Sequence, residues 1–167
     1  MPLTKSQLKL LFSQKRYWYH VSTTLFRREV LLTPWDEGDG FNRGQDEPQG
    51  KRICVAPTIE QCITAIPYYL SANCSIYRTK NEVKASPPVG VWDAHITEEG
   101  WLTTPTEFIL IGKLNFELVE RKLKIDNVIE EAASDGNEKS SRKVLRWWKR
   151  AKIERFIKYL TSKPKKV

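Results

Sequence analysis

The stretch that most constrains the fold is a short apolar run that leads directly into a helix cap. Residues 52–58 read Arg-Ile-Cys-Val-Ala-Pro-Thr, and an apolar run stopped by proline predicts a short buried strand. Thr58 can then cap a helix over residues 59–66, with Glu60 and Gln61 in its first turn. A buried strand that turns into a capped helix is a frequent ligand site, and it is also an ordinary way to build an α/β unit.

Four further segments have the β-branched and aromatic composition of strands: residues 16–21, 74–79, 89–95 and 107–114. Alternation along the first of these segments places Trp18 and His20 on one face of the strand. The last segment contains a continuous apolar run from Phe108 to Ile111, which is typical of a strand buried on both faces.

Helical patterns complete the prediction for the first part of the chain. Residues 4–16 begin with a Thr-x-x-Gln capping box and continue with apolar residues at helical spacing. Residues 125–133 also have a helical pattern. Residues 25–32 predict a short helix or turn ending at Pro34, and residues 33–51 predict a long loop. The elements together predict an α+β fold with a small, split, mostly antiparallel sheet and flanking helices.

The positive charge of the chain is concentrated at its C-terminal end. The chain of 167 residues has a formal net charge of +8, but residues 139–167 alone hold 12 Lys or Arg against one acid, Glu154. We therefore divide the chain into a domain at 1–133 that includes the N-terminal helix, a linker at 134–138 and a basic appendage at 139–167. A helical segment is expected over residues 140–160, although its apolar residues move to the opposite face near Lys152. The helix therefore either breaks near Lys152 or packs against other parts of the protein on both faces.

The basic appendage is open to more than one interpretation. Lys and Arg interleaved with tryptophan suit contact with the phosphates and bases of nucleic acid, and an acidic protein surface is a further partner. A helix that packs its tryptophan face on the domain would leave the same charges solvated, and binding to a membrane surface is a third reading. The candidate contact residues are Arg142, Lys143, Arg146, Trp147, Lys149 and Arg150.

Cysteine usage and hydropathy indicate a cytoplasmic protein. Cys54, Cys62 and Cys74 form no C-x-x-C pair, and with two histidines in the chain we expect free thiols and no metal site. No apolar run has the length that a membrane span requires, and no signal-peptide pattern follows Met1.

Two polar residues on predicted strands are candidates for chemistry. His20 either bonds a neighbouring carbonyl as a structural residue or donates a hydrogen bond to a ligand hydroxyl. Glu107 is either an exposed strand-end residue or a carboxylate that contacts a sugar and stabilises an oxocarbenium-like cation. Tyr68, Tyr69 and Tyr77 are core or rim aromatics unless one of them faces a cleft and stacks on a flat ring such as nicotinamide.

Three parts of the sequence carry a resemblance to a known family. These parts are Tyr19-His20-Val21-Ser22, the segments 28–34 and 53–58, and the strand at 104–114. Together they resemble the ADP-ribosyltransferase-like fold, in the histidine-tyrosine-glutamate style of diphtheria toxin and of small phage and bacterial members. The resemblance covers about residues 17–120 and leaves both terminal segments unexplained.

The resemblance implies NAD-dependent mono-ADP-ribosyl transfer to a protein or nucleic-acid acceptor. Glu107 would be the catalytic residue, and the tyrosine of the motif could be Tyr68, Tyr69 or Tyr77. The residues that would bind NAD are His20, Ser22, Arg27, Thr58, Tyr68 and Tyr77.

Two other functions stay open at this point. One is the NAD-dependent removal of an RNA 2′-phosphate on the same fold. The other is a non-catalytic inhibitor or adaptor that binds nucleic acid or a protein complex through the same fold and the basic segment.

Overall fold

The computed structural model describes residues 5–22, 27–35, 50–65, 73–88, 98–115 and 153–160. They form a mixed α/β protein in which antiparallel sheets dominate and helices are few. The helices are α1 (Lys5–Ser13) and α2 (Ile59–Ala65). The strands are β1 (Tyr19–Ser22), β2 (Glu29–Leu32), β3 (Ile53–Val55), β4 (Asn73–Thr79), β5 (Gly100–Leu102), β6 (Thr106–Asn115) and β7 (Ile157–Tyr159), with a 3₁₀ turn at Ile153–Phe156 before β7.

The larger sheet has five strands and is built around β6. Strand β4 pairs antiparallel with β6 along its length, and β1 pairs with the other edge of β4. Strands β2 and β7 share the opposite edge of β6, where β2 lies against residues 106–109 and β7 against residues 112–114. Strand β6 can hold three neighbours because it is 10 residues long, and an average strand has about 5–6.

Strands β3 and β5 form a separate two-stranded antiparallel sheet. A bridge ties it to the main sheet, because Tyr19 N–H donates to the Ala56 carbonyl at 2.8 Å and Ala56 N–H donates back at 2.9 Å. Pro57 then offers no amide hydrogen to extend the pairing, and Gln61 N–H donates to the Thr58 hydroxyl at 3.2 Å as α2 begins. The strand, cap and helix predicted from residues 52–66 are therefore confirmed.

The main sheet has a hydrophobic core on each face. On the α2 face, the buried core residues are Ile59, Ile63, Cys74, Ile76, Ile111, Leu114 and Ile157. On the other face, which we call the ribbon face, α1 and the β3–β5 sheet pack against the strands. The buried core residues there are Leu11, Trp18, Leu32, Ile53, Val55, Tyr77, Ala85, Leu102, Phe108 and Leu110.

Strand β6 is buried on both faces, which explains its continuous apolar run. Its pairing with β4 skips Ile111 at a β-bulge, because Leu110 and Gly112 lie opposite consecutive residues of β4. Phe108 and Leu110 pack into the ribbon-face core, whereas Ile111 packs into the α2-face core. Apolar residues are therefore needed at successive positions, as the sequence pattern indicated.

The short helix or turn expected at residues 25–32 is wrong over its described part, which is strand β2. Leu32 is buried and Val30 packs partly against the same ribbon-face core, while the alternate residues Glu29 and Leu31 are exposed. This is the two-residue alternation of a half-buried strand. Three successive apolar residues at 30–32 hide that alternation in the sequence.

The helix expected over residues 140–160 is wrong at its described end. The chain there makes the 3₁₀ turn and then strand β7, which pairs with β6. Ile157 and Tyr159 pack on the α2-face core and Lys158 between them is exposed, so the alternation is again that of a strand. Part of the segment assigned to the basic appendage is thus a strand of the main sheet.

The remaining local predictions divide between confirmed elements and residues outside the described part of the chain. The strands predicted at 16–21, 74–79 and 107–114 are confirmed as β1, β4 and β6, and the helix predicted at 4–16 is confirmed as α1. Outside the described residues lie the strand predicted at 89–95, the helix at 125–133, the linker at 134–138 and most of the loop at 33–51. Neither of the two described α-helices is long and apolar enough to cross a membrane.

Candidate functional site

His20 is a buried residue on the ribbon face of β1. Its Nδ1 lies 2.9 Å from the carbonyl oxygen of Cys54. The imidazole packs edge-on against Trp35 and tilted against Phe108, with ring centroids 5.7 and 5.9 Å away. It shares the ribbon face with Trp18, so the predicted alternation along this strand is confirmed.

The surroundings of His20 fix its protonation state. Burial lowers the pKa of His20 below its ordinary value, and the hydrogen bond to the Cys54 carbonyl acts in the opposite direction. The imidazole is therefore neutral at pH 7, and donation to the carbonyl places its proton on Nδ1. In this form Nε2, which has no hydrogen-bond partner among the described residues, can accept a hydrogen bond from a ligand hydroxyl but cannot donate one.

Glu107 belongs to an exposed group of charges on the α2 face. Its Oε2 lies 3.9 Å from Nζ of Lys80, and Oε2 of Glu29 lies 3.6 Å from the same ammonium group. Lys80 N–H also donates to the Glu107 carbonyl oxygen at 2.9 Å. Exposed ion pairs of this kind contribute little to stability.

His20 and Glu107 lie on opposite faces of the main sheet. His20 is opposite Tyr77, and Tyr77 is opposite Leu110, so this row of residues faces the ribbon-face core. Glu107 precedes Phe108, which packs in the ribbon-face core, and alternation therefore turns the Glu107 side chain to the α2 face. A ligand bound on one face of the sheet can contact one of these two residues but not both.

The other residues predicted to bind NAD are spread over several places. Ser22 ends β1 on the ribbon face and is half-buried, and Tyr77 is fully buried in the core below it. The Thr58 hydroxyl caps α2 and donates to Oε1 of Gln61 at 2.7 Å, while Arg27 is exposed before β2. The structure therefore brings His20, Ser22 and Tyr77 together on one face.

Some predicted contact residues cannot be placed. Outside the described residues lie Tyr68 and the six candidates of the basic segment, Arg142, Lys143, Arg146, Trp147, Lys149 and Arg150.

Comparison with known proteins identifies no family for this chain. Searches of protein-family models, of curated proteins and of solved structures find no significant match. The resemblance to ADP-ribosyltransferases rests on the sequence motifs alone, and NAD as a cofactor stays a prediction.

Beyond His20, the ribbon face of the main sheet turns from apolar to polar. Four residues lie there in one cross-strand row, each pairing with the next: Ser22 of β1, Ser75 of β4, Lys113 of β6 and Lys158 of β7. Paired residues of antiparallel strands carry their side chains on the same face, with Cβ atoms about 4.5–5.5 Å apart. We call this set the hydroxyl–lysine row.

The two lysines of the row are not explained by the packing of the sheet. Lys113 and Lys158 are both exposed, and neither has an ion-pair or hydrogen-bond partner within the described part of the chain. Like charges directly opposite each other destabilise the pairing of two strands. The row is therefore a cationic feature that costs stability where β6 meets β7.

Ser75 adds a buried polar residue in the middle of the row, between Ser22 and Lys113. It is 6% exposed, and its hydroxyl has no hydrogen-bond partner among the residues described. Ser75 shares a face with Tyr77, which makes it a diagonal neighbour of His20 at about 7–8 Å. Ser75 thus lies beside Lys113, and His20 lies diagonally beyond Ser75 on the same face.

Sequence reasoning found His20 and Ser22 but missed the other three members of this site. Ser75 stands between Cys74 and Ile76, and Lys113 stands between Gly112 and Leu114, so a polar residue among non-polar neighbours was the available signal. Lys158 could not be placed, because its segment was interpreted as a helix.

Other polar groups in the described residues contact aromatic rings or the backbone. The Arg78 guanidinium lies 4.3 Å from the centre of the Tyr17 ring, and that of Arg52 lies 4.2 Å from the Trp101 ring. The Cys62 thiol donates to the Tyr19 carbonyl at 3.0 Å, and burial raises the pKa of Cys62. In the described ranges no group of three or more His, Cys, Asp and Glu residues could hold a metal ion.

Proposed function

We propose that this chain is a non-catalytic binding protein that contacts nucleic acid through its basic C-terminal segment and the adjoining ribbon face of the main sheet. The observation that carries the proposal is strand β7, which joins this segment to the edge of β6. A strand paired within a sheet has a fixed position, so Lys158 of this segment is held at the edge of the domain.

Charge distribution supports a polyanionic partner. Residues 139–167 hold 12 basic residues and one acid, whereas residues 1–138 hold 16 basic and 19 acidic residues. A polyanion is therefore attracted to one end of the chain and repelled weakly by the rest. Neutralised phosphates release counterions, which supplies most of the free energy of non-specific nucleic-acid binding.

The composition of the basic segment favours nucleic acid over an acidic protein surface. Trp147 and Trp148 stand directly between Arg146 and Lys149 in the sequence. Indole rings offer stacking surfaces for unpaired bases, while the flanking cations contact the phosphates. Nucleic acid would use the charges and the paired tryptophans together.

NAD-dependent transfer has less support from the described residues. His20 and Glu107 would have to contact the same nucleotide, yet they lie on opposite faces of the sheet. Tyr77 has 0% exposure and so presents no surface for stacking on nicotinamide. We therefore keep the resemblance to the transferases as a prediction of the fold and do not propose a transferase activity from it.

The test is binding of a fluorescent single-stranded oligonucleotide to the full chain, followed by anisotropy over a range of salt concentrations. The logarithm of the association constant should fall linearly with the logarithm of the salt concentration. Replacing five cations of the segment by glutamine should flatten that slope, since removing one phosphate interaction reduces it by about 1. The five are Arg142, Lys143, Arg146, Lys149 and Arg150. Deletion of residues 139–167 is unsuitable because it would also remove β7 from the sheet.

Three outcomes would overturn the proposal. Absence of salt-dependent binding to the oligonucleotide would remove nucleic acid as the ligand. Tighter binding to an acidic polypeptide than to the oligonucleotide would replace nucleic acid by an acidic protein surface. Heat on calorimetric titration with NAD, lost in His20→Ala, would restore the transferase interpretation.

A further inference from the structure

We infer that the hydroxyl–lysine row is a phosphate-binding site in which Lys113 and Lys158 hold one phosphate group between them. The identification of that phosphate as part of a nucleic-acid backbone rests on the function proposed above. The described residues alone carry the inference of the site itself.

The charge of the two lysines is unbalanced. Lys113 and Lys158 are direct cross-strand partners, and neither has a carboxylate within ion-pair distance in the described part of the chain. Lys80, on the opposite face, has two such carboxylates, those of Glu29 and Glu107. An anion between Lys113 and Lys158 would turn their mutual repulsion into two charge-assisted hydrogen bonds.

The neighbouring hydroxyl groups also suit a phosphate. Ser22 and Ser75 continue the row from Lys113 towards β1, and Ser75 is buried with no hydrogen-bond partner for its hydroxyl in the described residues. The unprotonated oxygens of a phosphate group are hydrogen-bond acceptors, so ammonium and hydroxyl donors side by side match them. Lysine and serine side chains are both usual phosphate contacts in nucleic-acid complexes.

The strand pair that carries the lysines is closely packed. Gly112 packs so closely on β7 that a Cβ atom there would lie 2.9 Å from the carbonyl oxygen of Lys158. On the other edge of β6, Lys113 pairs with Ser75 of β4. The backbone positions of Lys113 and Lys158 are therefore set by the sheet before any ligand binds, which reduces the entropy lost on binding.

The test is a titration of the isotopically labelled full chain with inorganic phosphate, followed by amide resonances, with sodium chloride at equal ionic strength as reference. Saturable shifts should centre on Ser75, Lys113 and Lys158. Lys113→Ala and Lys158→Ala should each weaken phosphate binding about tenfold, the usual effect of losing one charge-assisted hydrogen bond. Lys80→Ala is the matched control, because it removes an exposed lysine from the opposite face, and it should leave the phosphate affinity unchanged.

The outcomes separate this inference from the proposed function. Shifts that do not saturate, or that are as large around Lys80 as around Lys113, would overturn the phosphate site. Oligonucleotide binding that survives unchanged in the double variant Lys113→Ala/Lys158→Ala would overturn the assignment of that phosphate to a nucleic-acid backbone and leave the basic segment as the nucleic-acid contact. Saturable phosphate binding without oligonucleotide binding would support the site and remove nucleic acid as its ligand.

Discussion

Lys113 and Lys158 lie directly opposite each other on β6 and β7, with their side chains on the same face of the sheet. Their repulsion acts against the pairing of these strands, so the pairing must be stabilised from the other face. Ile157 supplies that stabilisation, because it pairs with Leu114 and packs into the α2-face core.

Ile157→Ala should therefore destabilise the protein strongly. The loss of a buried isoleucine side chain costs about 2–5 kcal/mol in the free energy of unfolding. The control is Lys158→Ala, which should leave the stability unchanged or raise it slightly because it removes the repulsion from Lys113. The measurement is the free energy of unfolding of the two variants in denaturant. Equal losses in the two variants would mean that β7 does not pack as described.

Gly112 should not tolerate a side chain. A Cβ atom at this position would meet the Lys158 carbonyl oxygen at 2.9 Å and Cγ2 of Ile157 at 3.1 Å. Gly112→Ala should push β7 away from β6 and lower the free energy of unfolding by about 1–3 kcal/mol. Gly50→Ala is the matched control, because a Cβ atom at Gly50 would have no other atom within 4 Å in the described part of the chain. A Gly112→Ala protein as stable as the control would contradict the close packing of β7 on β6.

The buried histidine should make stability depend on pH. Burial lowers the pKa of folded His20 below its ordinary value of 6.5, so the unfolded chain takes up a proton more readily. The stabilising contribution is complete above about pH 6.5 and is lost as the pH falls through that value towards the folded pKa. His20→Asn, which can still donate to the Cys54 carbonyl, should lack this part of the pH dependence.

The measurement is the free energy of unfolding of wild type and His20→Asn from about pH 8 to pH 5. The difference between the two curves removes the contributions of all other titrating groups. The free energy of unfolding of His20→Asn minus that of wild type should increase as the pH falls. A difference independent of pH would show that the folded pKa of His20 is not lowered.

The three cysteines should differ in reactivity in the native state. Cys62 and Cys74 are buried and burial raises the pKa of each, whereas Cys54 is partly exposed. Because the thiolate is the reactive form, a brief treatment with iodoacetamide should label Cys54 first. Peptide mass spectrometry reads out the order, and unfolded protein is the control in which all three should react. Labelling of Cys62 ahead of Cys54 would contradict the burial of α2 on the sheet.

The sequence predicted those parts of the fold that depend on neighbouring residues. The cap at Thr58 and the apolar run of β6 are local signals, and both elements appear where they were expected. Strand β2 was missed because Leu31 is exposed between two residues that face the core, and an apolar residue in that position conceals the alternation. Strand β7 was missed because its three residues give too short an alternation to be recognised within the helical pattern predicted over residues 140–160.

The candidate site was harder to predict, because it exists only through the register of four strands. Ser22, Ser75, Lys113 and Lys158 are far apart in the sequence, and no local pattern states that they pair. The same register separates His20 from Glu107, which the sequence motifs suggested to be partners. A shift of one residue in any of these pairings would have moved a member of the row to the other face.

A comparison of two double variants with equal loss of charge tests most directly whether the hydroxyl–lysine row binds nucleic acid. Lys113→Ala/Lys158→Ala removes the row, and Lys80→Ala/Lys84→Ala removes two exposed lysines outside it. In anisotropy titrations with a single-stranded oligonucleotide, the row variant should bind at least about tenfold more weakly and lose about 0.7–1 from its salt slope, because one phosphate contact is removed. The control variant should bind like wild type. Equal weakening in both variants would show that net charge alone determines binding, and would contradict a site on the ribbon face.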